Sequence, residues 1–159
     1  MEKEKLLDIK DLSVTYKTED GIVYAVNNLN LTLEPKETLG FVGETGAGKT
    51  TTAMTIMGLL PTPPGKVTSG EIMFDGKDML KIGDKERRGI LGEKISMIFQ
   101  DPMTSLNPSM KVGDQIVEMT RLHKVIGKKE AFEEACGLLE MVGIRRERAN
   151  DYPHQFSGG

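Results

Sequence analysis

A single cysteine, Cys136, in 159 residues removes two classes of protein at once. No internal disulfide can form, and a cysteine-built metal centre lacks its ligands, which suits a reducing compartment. Cys136 falls in line with Phe132 and Leu139 at helical spacing and reads as a packed core thiol. An excess of one charge is missing too: 21 Lys and Arg face 24 Asp and Glu, a formal charge of −3 with the signs interspersed. That leaves no basic stripe of the kind nucleic acid requires, so no nucleic-acid partner is expected. No apolar run reaches membrane-spanning length, and the charged stretch from Met1 to Lys5 has no signal-peptide core behind it. The expected location is the cytosol, with any membrane association made through a protein partner. What is present, 38% apolar and 28% charged residues, is the content of one ordinary globular domain.

Glycine is plentiful, and three glycines fall in a pattern with a mechanism. Gly43 to Thr50 read Gly-Glu-Thr-Gly-Ala-Gly-Lys-Thr, a complete G-x-x-x-x-G-K-[ST] phosphate loop. Leu39, Phe41 and Val42 predict a short buried strand before it. Thr51 to Leu60 predict a helix after it, through Ala53, Met54, Ile56, Met57 and Leu60. Strand, glycine loop and helix is the order the motif needs, because loop N–H groups and a helix N-terminus together hold phosphate oxygens. The nucleotide-binding set is therefore Gly43, Glu44, Thr45, Gly46, Ala47, Gly48, Lys49, Thr50 and Thr51. Lys49 would hold the β and γ phosphates and serve the chemistry, and the Thr50 hydroxyl would ligate Mg²⁺. The cofactors implied are ATP and Mg²⁺; the plain alternative is a glycine-rich strand-to-helix turn that binds nothing.

Around this loop the chain changes character. Leu6 to Ile9, Ser13 to Tyr16 and Val23 to Leu33 predict strands, with a turn through Lys17 to Gly21. Pro61, Pro63, Pro64 and Gly65 break the pattern before a strand at Glu71 to Phe74 and the Asp75-Gly76 turn. Lys85 to Leu91 is a weak helix candidate, and Ile95 to Phe99 predict a strand ending at Gln100. From Val112 onward the spacing turns helical, first through Ile116 and Met119. A second stripe runs through Ala131, Phe132, Ala135, Leu138, Leu139 and Val142 to Gly143.

Taken in order, these motifs resemble the nucleotide-binding subunit of an ATP-binding-cassette transporter, and the resemblance spans essentially the whole chain. It implies an α/β fold, a P-loop NTPase of the ABC type. Residues 1–100 would carry an antiparallel β subdomain and a partial, RecA-like P-loop core, and residues 101–159 a helical subdomain ending at the signature motif. Tyr16 stands where the family has an adenine-stacking aromatic; the bland alternative is an ordinary strand tyrosine. Gln100 matches the glutamine that in the family faces Mg²⁺ and the attacking water, which makes it a catalytic and metal-site candidate with Lys49 and Thr50. Phe156-Ser157-Gly158-Gly159 resembles the family signature, with Phe in place of Leu, and implies that Ser157, Gly158 and Gly159 contact the nucleotide of an opposite subunit in trans. Gly58-Leu-Leu-Pro, Ser69-Gly-Glu-Ile, the run from Ile98 to Pro108, and Asp151 to Gln155 are similar to the oligopeptide and dipeptide importer branch. Nickel and glutathione importers share much of that wording. The partners implied are a second ATPase subunit, two transmembrane permease subunits and an extracytoplasmic solute-binding protein, which would hold the chain at the cytoplasmic face of the cell membrane.

The resemblance also implies motifs past the signature: a Walker B strand ending Asp-Glu, a D-loop and a switch histidine. Asp75 is followed by Gly76 and precedes Gln100, so it reads as a strand turn; His154 precedes the signature, and His123 reads as a surface residue. The expectation is a fragment of a longer gene product that binds Mg-ATP and hydrolyses it negligibly alone, with apolar surface left uncovered where further strands would pair. A nucleotide-binding regulatory module that never hydrolyses is the competing class. A small P-loop kinase or GTPase is disfavoured, for want of an Asn-Lys-x-Asp motif.

Overall fold

The computed structural model describes residues 5–100 and 105–156. They belong to two compact units, Met1–Arg88 and Gly89–Gly159. This contact boundary precedes residue 100, where the sequence places the division.

The first unit is built on a four-stranded antiparallel sheet in the order β2-β1-β3-β4, from β1 (Leu7–Thr18), β2 (Gly21–Leu33), β3 (Gly65–Phe74) and β4 (Lys77–Asp78). Between β2 and β3 the chain runs through the glycine loop into α1 (Lys49–Met57). The β1–β2 hairpin pairs Leu7 with Leu33 at one end and Thr18 with Gly21 at the other. Its register shifts between Ile9 and Leu12, where Asp11 takes a φ of 47°, and again between Leu12 and Val14, opposite which Asn28 takes one of 48°. Those are the residue types that tolerate a left-handed conformation, because their short polar side chains bond locally. Here the Asp11 N–H donates to Asn30 Oδ1 at 3.0 Å, and the Asn28 N–H donates to Ser13 Oγ at 3.1 Å.

Alternation along the strands puts Leu7, Ile9, Leu12 and Val14 of β1 into the core with Val26, Ile72, Phe74 and Met79. Burying an aliphatic side chain of this size contributes about 1.5–3 kcal/mol, so this one face supplies most of the stability of the sheet. The α2 helix (Asp84–Ile90) follows β4.

The second unit pairs α3 (Val112–His123) with α4 (Lys128–Met141) and closes with two short 3-10 turns, Arg146–Asn150 and Pro153–Gln155. Its core is Val112, Val117, Ala131, Ala135, Cys136, Leu139 and Ala149, so Cys136 is the buried thiol expected from its spacing. Small residues at 131, 135 and 149 let the backbones approach closely.

Four expectations need correction. Leu39, Phe41 and Val42 lie outside any strand and are 45%, 43% and 90% exposed. Ile95–Phe99 is likewise unpaired apart from a single Leu91–Ile95 bridge, with Ile98 93% exposed. A central strand is held by a ladder of hydrogen bonds to neighbours on both sides; here Ile95 bonds only to Ile90 and Gly92, close in sequence, among the described residues. The helical stripes are also narrower than read, since Met119, Leu138 and Val142 are exposed. His123 is not simply on the surface, because its Nε2 is buried without a hydrogen-bond partner, against Gly92.

Candidate phosphate-loop site

The sequence motif becomes geometry at the start of α1. Gly48 caps the helix with φ 80° and ψ 4°; no side chain bonds the first N–H groups, and no acidic residue stands in the first turn. An N-terminus left uncapped in this way directs its orphan N–H groups and the positive end of the helix dipole at whatever lies in front of it. The loop is tightened by the Ala47 N–H, which donates to Glu44 O at 3.2 Å.

Gly48 is required by contact, and Gly43 is tightly placed. A Cβ on Gly48 would collide with the Ala25 carbonyl oxygen, so the end of the loop is pressed onto the β2 backbone. A Cβ on Gly43 would stand 3.2 Å from Ala47 Cβ and 3.9 Å from Lys49 Nζ. Residue 43 is thus closely packed against Ala47, whereas at Gly46 a Cβ would meet nothing within 4 Å and the loop is open. Anion-directed N–H groups, a lysine and this open space together fit the phosphate chain of a nucleoside triphosphate.

Lys49 Nζ donates to the carbonyl oxygens of Gly43 and Glu44, both at 2.6 Å. Two of its three protons are thereby committed to the rim of the loop, and one remains. The threonines that follow have different fates. Thr52 Oγ1 donates to Gly48 O at 2.9 Å and Thr55 Oγ1 to Thr51 O at 2.7 Å, each turned back onto its own helix. Thr51 Oγ1 lies 3.3 Å from the Tyr16 hydroxyl. Thr50 stays exposed in the first turn, which suits a metal ligand.

The contact with Thr51 joins Tyr16 of β1 to the first turn of α1. In the ladder it lies opposite Val23 on one side and Gly65 on the other. Val23, half exposed, extends an apolar platform beside the tyrosine. Sequence reasoning missed this residue; counting cross-strand partners outward from Gly21 would have found it.

Gln100 is exposed and belongs to the second unit, whereas Tyr16, Lys49 and Thr50 belong to the first. Ser157, Gly158 and Gly159 lie outside the described residues. The chain leading to them is firmly held. Arg148 Nε donates to Asp151 Oδ2 at 3.0 Å, its Nη2 to Gln155 O at 2.7 Å, and its guanidinium sits 4.2 Å from the centre of the Phe156 ring. Among the described residues no cluster of His, Cys, Asp or Glu could hold a metal ion by itself, and no helix is long and apolar enough to cross a membrane. A cavity of about 840 Å³ opens between the β1–β2 turn and Thr62–Lys66 but includes none of the loop residues. A nest of backbone N–H groups of the kind the loop offers binds anions even at an open surface.

A family model described as ABC transporter matches residues 26–159. The chain is 50% identical over 157 residues to the oligopeptide transport ATP-binding protein OppD of Bacillus subtilis (strain 168), covering 98% of this chain and 44% of that protein. It is also 50% identical over 158 residues to the dipeptide transport ATP-binding protein DppD of the same organism, covering 98% and 47%. OppD of Salmonella typhimurium is 51% identical over 156 residues, with coverage of 97% and 46%. The chain thus spans less than half the length of these relatives. Among solved structures, the dimeric bacterial ABC transporter cassette MJ0796 matches with a TM-score of 0.81 at 27% identity, over 96% of this chain and 63% of that one. The dimeric post-hydrolysis state of the same cassette, bound to ADP and Pi, matches with a TM-score of 0.79 at 26% identity and the same coverage.

Proposed function

This chain belongs to the ABC transporter family, and from that premise we propose that it is the nucleotide-binding part of an ATPase subunit that drives import of oligopeptides or dipeptides. The observation that carries the proposal is the uncapped start of α1: Gly48 in the left-handed region, Lys49 held at the rim, and open space at Gly46. The relatives named for oligopeptide and dipeptide transport support the choice of solute; a nickel importer ATPase is the alternative that shares the sequence wording.

In this reading the loop N–H groups and Lys49 bind the phosphate chain, and Tyr16 with Val23 receives the flat face of adenine. Thr50 and Gln100 are the groups offered to Mg²⁺. That ion, when bound, neutralises charge developing on the transferred phosphoryl group. Gln100 orients the attacking water, and Ser157, Gly158 and Gly159 complete the nucleotide site of a second ATPase subunit in a head-to-tail dimer. Closure of that dimer would pull on two permease subunits at the cytoplasmic face of the membrane, with a solute-binding protein on the far side.

Taken alone, the 159 residues bind Mg-ATP and turn it over negligibly, because no carboxylate of the Asp-Glu type is supplied to position water at the γ-phosphate. The expected result is saturable Mg-ATP binding that Lys49→Ala abolishes, with phosphate release at the buffer level in both proteins. Phosphate release well above buffer that Lys49→Ala removes would show the chain to be hydrolytically complete. Binding unaffected by Lys49→Ala would remove the loop from the site. Binding without turnover by the longer subunit as well would favour the second reading, a regulatory nucleotide-binding module.

A further inference from the structure

The far end of α1 is closed by a guanidinium that the nucleotide chemistry does not use. Gly58 ends the helix in the left-handed region at φ 69°, with its N–H directed to Met54 O and Thr55 O, and the Leu59 N–H adds a bond to Met54 O at 2.8 Å. Arg87 of α2 lies directly over this cap. A Cβ on Gly58 would meet Arg87 Nε at 2.5 Å, Cδ at 2.8 Å and Cζ at 2.9 Å. Arg87 Nη2 donates to Met79 O at 3.0 Å, and Nη1 stands 3.6 Å from Asp84 Oδ1. Its Nε, however, is buried without a hydrogen-bond partner. A buried donor left unpaired carries a desolvation cost, so its persistence calls for a compensating role.

The cap geometry supplies one. A cation at a helix C-terminus meets the negative end of the dipole, and the planar guanidinium fits flat against a residue that has no side chain. At the opposite end Gly48 is pressed onto the Ala25 carbonyl oxygen, so α1 is gripped at two points about 15 Å apart. Between these ends α1 is held laterally by β2 and by the Tyr16–Thr51 contact from β1, with Thr52, Thr55 and Met57 buried. The contacts at its two ends complete the set that fixes its direction.

We propose that Arg87 is a positioning residue for the phosphate loop: by fixing the C-terminal end of α1 it sets the direction in which Lys49, Thr50 and the first-turn N–H groups face. This rests on the phosphate-binding reading of the loop, and its test is built to fail separately from that reading. The intact 159-residue chain is compared with Arg87→Ala, Arg87→Lys, Gly58→Ala and a core control, Ile72→Val. Mg-ATP affinity is measured at a temperature at which circular dichroism shows each protein folded, and amide hydrogen exchange is measured without nucleotide.

Arg87→Ala should weaken Mg-ATP binding roughly three- to tenfold and speed exchange in the first turn of α1, at the end of the helix remote from the substitution. Gly58→Ala, which displaces the guanidinium, should do the same. Arg87→Lys should recover part of the affinity through its charge. Ile72→Val should lower the melting temperature and leave both readouts unchanged. First-turn exchange unaltered in the folded variants of Arg87 and Gly58 overturns the inference, whether or not nucleotide binds. Faster exchange with unaltered affinity overturns it as well. Failure of the unsubstituted chain to bind Mg-ATP refutes the phosphate-loop reading, and with it the functional consequence assigned to Arg87.

Discussion

Gly46 and Gly48 both hold left-handed backbone in the same loop, at φ 87° and 80°, yet they should respond very differently to one added methyl group. At Gly46 a Cβ meets nothing within 4 Å, so Gly46→Ala carries only the conformational penalty of a non-glycine residue in that region, about 1–2 kcal/mol. At Gly48 the same penalty applies, and the Cβ also collides with the Ala25 carbonyl oxygen and reaches Val26 Cγ2 at 3.4 Å. The obstacle is backbone of a paired strand and cannot rotate away. Overpacking of this kind adds about 1–3 kcal/mol, giving roughly 2–5 kcal/mol for Gly48→Ala. Equilibrium urea unfolding of both variants against the unsubstituted chain measures the difference directly, with the midpoint reporting stability as long as the slope is unchanged. Equal losses, or a larger loss at Gly46, would refute the close packing of the loop end onto β2. Because the strain at Gly48 is relieved by moving the start of α1, this variant should also lose Mg-ATP affinity out of proportion to Gly46→Ala.

Two further outcomes follow from the same geometry. Tyr16→Phe should cost well under 1 kcal/mol of stability, since the 3.3 Å contact to Thr51 is a long hydrogen bond, and should keep nucleotide affinity; Tyr16→Ala should weaken ATP binding by about 1–3 kcal/mol, as loss of a stacking partner does, in a direct titration. The Asp8 carboxyl is held below its ordinary value of 3.8, first by the hydrogen bond from Lys5, against the opposing effect of burial, and further by the Thr32 hydroxyl and the charges of Lys5 and Lys10. A carboxylate whose folded value is depressed adds stability above its unfolded pKa and loses it as the pH falls through the folded value. Asp8→Asn should therefore be less stable than the parent at neutral pH and lose that deficit as the pH falls through the folded value, as followed by thermal melts; a deficit that persists in strong acid would contradict the assignment.

What the sequence made legible was local. The phosphate loop, the start of α1 and the β1–β2 hairpin are specified by neighbours in the chain: glycines at 46 and 48, an uncapped helix start, and alternation into a tight turn ending at Gly21. The strands read at Leu39–Val42 and Ile95–Phe99 depend on partners distant in sequence, and apolar runs do not reveal whether partners are at hand. Met119, Leu138 and Val142 sit at helical spacing and are nonetheless exposed, because periodicity marks a face and not what covers it. Val23 beside Tyr16 and Arg87 over Gly58 follow from register and from a helix-end contact, neither of which has a motif.

The two bonds from Lys49 to the loop carbonyls make anion capture an exchange in which a ligand must take over an ammonium group already engaged. A lone phosphate competes with two carbonyl oxygens using a single group, and little is gained over the self-bonded loop. A polyphosphate offers several charged oxygens to the same ammonium and to the first-turn N–H groups together, and charge-assisted bonds are roughly twice as strong as neutral ones. On the proposed nucleotide-binding reading, the loop would therefore favour anions that join several phosphates in a row over inorganic phosphate, before any base is read.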